Sequence, residues 1–108
     1  MKRVVITGAG TIHALGQSVA QTEEALREGR CGIGPLEVRD VDRLAIKIGG
    51  QVRDFQAEQA FNRQQMTLYD RFTQFALLAT KEALGQSGLS FAGELAAKSG
   101  VILGTAGG

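Results

Sequence analysis

The sequence predicts an α/β protein whose strands lie parallel in a sheet covered on both faces. Three observations carry this expectation. Residues 3–7, Arg3-Val4-Val5-Ile6-Thr7, form a short β-branched run that is apolar at consecutive positions. Residues 100–104, Gly100-Val101-Ile102-Leu103-Gly104, form a second such run. A strand with one wet face would alternate, so continuous apolarity implies cover on each side. Between the two runs lie stretches with helical spacing, the order expected of a βα-type unit.

The first run closes on Gly8-Ala9-Gly10, and a loop follows from Thr11 through Gly16 and Gln17. Ser18 opens a helix. Gln21 stands three residues on, the spacing of a capping box in which each side chain satisfies the other's backbone amide. Val19, Thr22, Ala25 and Leu26 make its inner face, while Glu23, Glu24, Arg27 and Glu28 are solvated. Gly29 supplies the left-handed cap. Residues 31–42 read as a loop, with Gly32, Gly34 and the only proline, Pro35. Residues 44–48 are a strand candidate broken by Gly49-Gly50, and residues 51–55 a second extended candidate. Residues 56–65 are polar, a short helix or an irregular arm. The strongest helix runs over residues 68–87, with Thr67 and Asp70 in the spacing of a capping box. Leu68, Phe72, Phe75, Ala76, Ala79 and Ala83 fall on one stripe, and Leu77, Leu78 and Leu84 widen it. Its small residues permit a neighbour to approach closely. Gly85 weakens the last turn and Gly88 ends it.

Composition narrows the function classes. With 108 residues the chain suits one small domain. Hydrophobic residues are 44% and charged residues 21%, ordinary globular values that exclude a disordered tail. Twelve Lys and Arg against eleven Asp and Glu give a net charge of +1, so no bulk electrostatic grip on nucleic acid or an anionic membrane is expected. No apolar run approaches the roughly 18 residues of a membrane span. Three apolar residues after Lys2-Arg3 are too few for a signal peptide, whose apolar region needs about 7–15. One cysteine cannot form an internal disulfide, which suits a reducing cytoplasm. The 15 glycines cluster without a period, so tight turns are numerous. There is no internal repeat. The chain reaches glycines just past an apparent strand, with no closing element, and reads as an incomplete domain.

Few residues offer chemistry. Gly8-Ala9-Gly10 after a strand invites a dinucleotide reading, but the third glycine of that loop would fall where His13 stands. No acidic residue ends a second strand about 20 residues on, where a ribose would be held. A structural tight turn is the better reading. Cys31 follows a helix C-terminus, where the dipole disfavours a thiolate. A pairing of Cys31 with His13, the only histidine, is open, and a plain structural cysteine is preferred. One His and one Cys are too few soft ligands for zinc, and no metal or cofactor is expected. Tyr69, Asp70 and Arg71 read as helix-start residues, and Phe72 with Phe75 as core.

Four segments together carry a family resemblance. Residues 2–10, Lys2-Arg3-Val4-Val5-Ile6-Thr7-Gly8-Ala9-Gly10, resemble the opening strand and loop of the type I and II β-ketoacyl-[acyl-carrier-protein] synthases. Residues 25–33, ending Gly29-Arg30-Cys31-Gly32-Ile33, resemble the exit of their first helix. Asp70-Arg71-Phe72-Thr73-Gln74-Phe75-Ala76, with Glu82-Ala83-Leu84 and Ser87-Gly88-Leu89, resembles their long central helix. Gly100-Val101-Ile102-Leu103-Gly104-Thr105 resembles the next strand. Order and spacing agree over the whole chain. Polyketide ketosynthases and their chain-length-factor partners share these motifs.

The resemblance implies a thiolase-like fold of two similar halves layered αβαβα, with residues 1–108 the start of the first half. It implies an acyltransferase that moves an acyl chain from acyl carrier protein to a cysteine, decarboxylates malonyl-carrier protein and joins the two by Claisen condensation. A homodimer is implied. The family's catalytic residues are implied to lie well beyond residue 108, so none is carried over to this chain, and Cys31, standing where the family commonly has serine, inherits no catalytic role. Thr105, Ala106, Gly107 and Gly108 are implied to wall the acyl pocket, with glycine at 107 where type II enzymes place a bulky residue. His13-Ala14 departs from the family's small polar residue and proline. The competing readings are a non-catalytic chain-length-factor-like partner and a nucleotide-binding module.

Overall fold

The computed structural model describes residues 1–107. Its elements, in order, are α1 (Val19–Arg27), β1 (Ile33–Pro35), β2 (Ile48–Gly50), α2 (Arg63–Leu68), α3 (Arg71–Ser87) and α4 (Gly93–Ala97), with 3-10 turns at Val41–Arg43 and Ala57–Gln59. The radius of gyration is 17.0 Å, against roughly 13 Å for a compact domain of this length. The chain is therefore extended. Among the described residues only Ala25 and Gln74 are buried.

Local signals placed α1 well. Ser18 sits extended at its N-cap and its hydroxyl oxygen accepts from the Gln21 amide at 3.2 Å. The reciprocal half of the capping box is absent, because the Gln21 side chain accepts instead from the Gln17 amide at 2.8 Å. At the other end Gly29 is left-handed at φ 66°. The Arg30 amide donates to the Ala25 carbonyl at 2.9 Å and the Gly29 amide to Leu26 at 3.2 Å. Those two bonds make a Schellman cap, whose left-handed residue carries no steric penalty when it is glycine. Ala25 is fully buried, whereas Leu26 is exposed.

The sheet differs from the expectation. Among the described residues it has two strands, β1 and β2, and they run antiparallel. Ile33 pairs with Gly50, Gly34 with Gly49 and Pro35 with Ile48. β1 lies inside the segment read as a loop. β2 begins at the end of the 44–48 candidate and includes the glycines read as its breaker. The pairing explains both: Gly49 and Gly34 are narrow where Leu36 and the Arg53 guanidinium press in. Residues 51–55 are not a strand.

Residues 3–7 and 100–104 adopt no regular secondary structure and belong to no ladder. Val4, Val5, Ile6, Val101, Ile102 and Leu103 are all exposed. A strand is completed by its neighbour's amides and carbonyls, and no strand pairs with either run among the described residues. Apolar composition alone did not supply one.

The long helix is also divided. α2 starts at Asn62, where a full capping box forms with Gln65: Asn62 Oδ1 accepts from the Gln65 amide at 2.8 Å and Gln65 Oε1 from the Asn62 amide at 3.0 Å. Thr67 is no cap, since its hydroxyl donates back to the Arg63 carbonyl. Tyr69 turns extended (ψ 119°) and breaks the helix, and Asp70 restarts it without a side-chain cap. Gln74 reaches back instead, its Nε2 donating to the Tyr69 carbonyl at 3.0 Å. Gly88 ends α3 in the left-handed region, as its place in the sequence predicts. The five-residue α4 has no counterpart among the helices the sequence predicts.

Candidate functional site

The small-residue stripe of α3 receives the glycine loop. A Cβ placed on Gly8 would lie 2.1 Å from the Ala83 carbonyl oxygen, and one on Gly10 only 1.8 Å from that of Ala79. The glycines of residues 8–10 are thus required by helix packing, the tight-turn reading. Three hydrogen bonds fix the approach. The Ala9 amide donates to Gln86 Oε1 at 2.6 Å, the Thr11 amide to Glu82 Oε2 at 3.0 Å and the Val19 amide to Glu82 Oε1 at 2.8 Å. The Glu82 carboxylate therefore joins the N-terminal loop to the first turn of α1, satisfying an amide that a helix start leaves unpaired. Sequence reasoning missed this role. The available signal was spacing: positions 79, 82, 83 and 86 share one face, so an acid and an amide sit among the alanines.

A second face of α3 borders the residues singled out for acyl contact. An apolar groove of about 470 Å³ runs between α3 and residues 101–105. Phe72, Ala76 and Leu77 form one wall, Val101, Leu103 and Gly104 the other, and Thr73, Thr80 and Thr105 add hydroxyls. A neighbouring hollow of about 350 Å³ shares Thr80 and Val101 and ends against Leu84 and Phe91. The groove holds no carboxylate, amine, imidazole or thiol among the described residues. It suits an apolar chain and supplies no acid, base or nucleophile.

Of the four residues expected to wall a pocket, Thr105 lines this groove. Ala106 and Gly107 follow it, exposed and outside the lining of both hollows. Open space surrounds the Gly107 Cα, where a Cβ would meet nothing within 4 Å. Gly108 lies outside the described residues.

The other candidates stand apart. Cys31 is exposed, its thiol 3.8 Å from the Ile33 carbonyl oxygen. His13 is engaged elsewhere, with Leu15 and Thr22. Phe75 packs edge-on against Phe55 at 4.9 Å, and the Arg71 guanidinium lies 5.8 Å from the Phe55 ring and 5.3 Å from that of Phe75. Arg71 also donates to the Val52 carbonyl at 2.9 Å, so it ties residues 52–55 to α3 rather than simply opening the helix. Among the described residues no three His, Cys, Asp or Glu side chains converge as metal ligands, and no helix is long and apolar enough to cross a membrane.

Comparison with known proteins agrees with the motif order. The chain is 38% identical over 104 residues to a 3-oxoacyl-[acyl-carrier-protein] synthase 2 of Synechocystis sp.. It is 37% identical over 106 residues to nodulation protein E of Rhizobium sp., and 34% identical over 104 residues to a 3-oxoacyl-[acyl-carrier-protein] synthase 2 of Vibrio harveyi. Each match covers 96–98% of this chain and 25–26% of the relative. The chain thus spans about a quarter of the length of the curated relatives it matches. The family model for the β-ketoacyl synthase N-terminal domain matches residues 1–108 from end to end. With relatives and family model in agreement along its whole length, the chain belongs to the β-ketoacyl synthase family, within the N-terminal domain.

Proposed function

We propose that this chain is the opening segment of a 3-oxoacyl-[acyl-carrier-protein] synthase with thiolase-like layering. The observation that supports this reading best is the match to synthases over 96% of the chain. The exposed runs at residues 3–7 and 101–103 fit the same reading. Each is apolar on both faces, as an interior strand of a covered parallel sheet would be, and the remainder of a longer chain would supply neighbours and cover.

In this reading the whole protein is an acyltransferase. An acyl group passes from its carrier protein to a cysteine thiol outside residues 1–108, forming an enzyme thioester. The malonyl thioester loses carbon dioxide, and the electron pair of the broken C–C bond forms the new bond to the acyl carbonyl. The enzyme thiolate leaves. Residues 1–108 supply scaffold: the loop at 8–11 is clamped on α3 and the groove wall ends at Thr105. Thr105, Ala106, Gly107 and Gly108 border the acyl channel. Acyl carrier protein is the partner, the assembly is a homodimer, and the site of action is the cytoplasm.

The test is direct assay of the intact protein with acyl- and malonyl-carrier proteins, following carbon dioxide release and the 3-oxoacyl product. Product from the protein alone is expected. A folded protein that makes none, or makes it only beside a second ketosynthase, would overturn the reading and favour a non-catalytic partner of the same fold.

A further inference from the structure

We infer that His13 is a proton-sensitive latch on the turn at residues 13–16, closed when the imidazole is neutral and opened when it is protonated. His13 and Gly16 exchange two backbone bonds, at 2.9 Å and 3.1 Å, which makes Ala14-Leu15 the tip of a two-residue turn. The His13 ring then spans from that tip to α1. Its Nδ1 accepts from the Leu15 amide at 3.2 Å, and its Nε2 lies 3.1 Å from Thr22 Oγ1.

The proton positions follow from the partners. A backbone amide can only donate, so Nδ1 must be bare. In the neutral ring the proton is then on Nε2. Thr22 is free to accept it, because its hydroxyl proton goes to the Ser18 carbonyl at 2.8 Å. That neutral tautomer satisfies all three bonds at once. A second proton can enter only at Nδ1, where it would face the Leu15 N–H. Two donors then oppose each other and the Leu15 amide loses its acceptor. The Thr22 bond survives protonation, so the contact that fails is the one holding the tip.

The tip is also where the turn meets the hairpin. The Ala14 Cβ would lie 3.0 Å from a Cβ on Gly32 and 3.5 Å from one on Gly50, so the turn is wedged against one end of the β1–β2 pairing, where Ile33 meets Gly50. On the α1 side the ring's partner is the neutral Thr22, and on the hairpin side the residues against the tip at Ala14 are Gly32 and Gly50. From α3 the charged group bonded to this loop is Glu82, which grips the amides of Thr11 and Val19 on either side of the turn. Those anchors do not pass through the imidazole. Protonation would therefore free the tip while the ends of the loop stay fixed.

The test is amide hydrogen exchange followed by NMR on the intact protein over a pH series in which the ring ¹⁵N shifts pass from the neutral to the protonated pattern. Exchange is expressed as protection, which removes the intrinsic pH dependence. The ring ¹⁵N shifts should show the Nε2–H tautomer at the upper end. As those shifts report protonation, Leu15 protection should fall about fivefold, the size of one lost hydrogen bond, while Thr11 protection holds. In His13→Asn, whose side-chain oxygen can accept the same amide and does not titrate, Leu15 protection should stay flat. A neutral ring in the Nδ1–H tautomer would overturn the latch. So would wild-type Leu15 protection that ignores ring protonation, whatever the variant's folding.

Discussion

Gly10→Ala tests the contact on which the N-terminal loop depends. The added Cβ would stand 1.8 Å from the Ala79 carbonyl oxygen, 2.7 Å from its carbonyl carbon and 3.0 Å from the Ala83 amide nitrogen. All three are backbone atoms inside α3, so no side chain can swing aside. An ordinary contact lies near 3.5 Å, so the loop must retreat by more than about 1.5 Å. That distance breaks the 2.6 Å bond from Ala9 to Gln86 and the 3.0 Å bond from Thr11 to Glu82. A neutral bond contributes about 0.5–1.5 kcal/mol and one to a charged group about 1.5–3. The expected cost is therefore about 2–4 kcal/mol, read by urea denaturation of the intact protein. Gly85→Ala is the internal control. It lies in the same helix, and its added methyl would meet nothing within 4 Å, so it should stabilise by roughly 0.5–1 kcal/mol through helix propensity. A Gly10→Ala protein within about 0.5 kcal/mol of wild type would refute the packing argument.

Other positions give sharper functional contrasts. Glu82→Gln keeps one acceptor oxygen for two amides, those of Thr11 and Val19, and should cost about 1–3 kcal/mol; an unchanged denaturation midpoint would remove Glu82 as the joint. Cys31→Ser should leave condensation within a few-fold, because the thiol is exposed and its hydrogen-bond partner among the described residues is the Ile33 carbonyl. A loss on the order of 10⁴-fold, the scale of a missing nucleophile, would make Cys31 catalytic. Gly107→Ile should shorten the accepted acyl chains while sparing acetyl-length substrates, since a branched side chain would fill the open space beside Gly107. An unaltered chain-length profile in a folded variant would take this loop out of the pocket.

What the sequence made legible was local. Ser18 could be placed because an N-cap needs only a hydroxyl and the amides one turn on, and Gly29 and Gly88 because a left-handed cap favours glycine. The alanine stripe announced a close neighbour, and Gly8 and Gly10 proved to be that neighbour. Features set by distant partners were not legible. Gly49 and Gly50 look like breakers until Ile33–Pro35 lies beside them. Glu82 looks like a solvated helix position until the amides of Thr11 and Val19 arrive from more than 60 residues away. An apolar stripe runs through the break at Tyr69 and masks it, and the spacing of Thr67 and Asp70 competes with that of the Asn62–Gln65 box that starts α2. For the acyl contact only Thr105 has a wall to belong to among the described residues.

The uncovered runs set the terms on which this chain folds. Val4, Val5, Ile6, Val101, Ile102 and Leu103 all face solvent. Full burial of one such side chain is worth about 1.5–3 kcal/mol, so the six together withhold on the order of 10 kcal/mol. A whole domain is stable by only about 5–15 kcal/mol. The buried side chains of Ala25 and Gln74 cannot replace that driving force. The same runs also present unpaired backbone amides and carbonyls, which template association with another strand. The 108-residue chain by itself should therefore unfold without a sharp transition, or sediment as a mixture of associated species. Co-expression with the remaining three quarters of a relative such as the Synechocystis synthase should increase its soluble, protease-resistant fraction, because those residues would supply strand neighbours and cover. A monodisperse monomer of the chain alone, melting in one cooperative step, would show that the exposed runs are compatible with a finished domain and that the sheet argument is wrong.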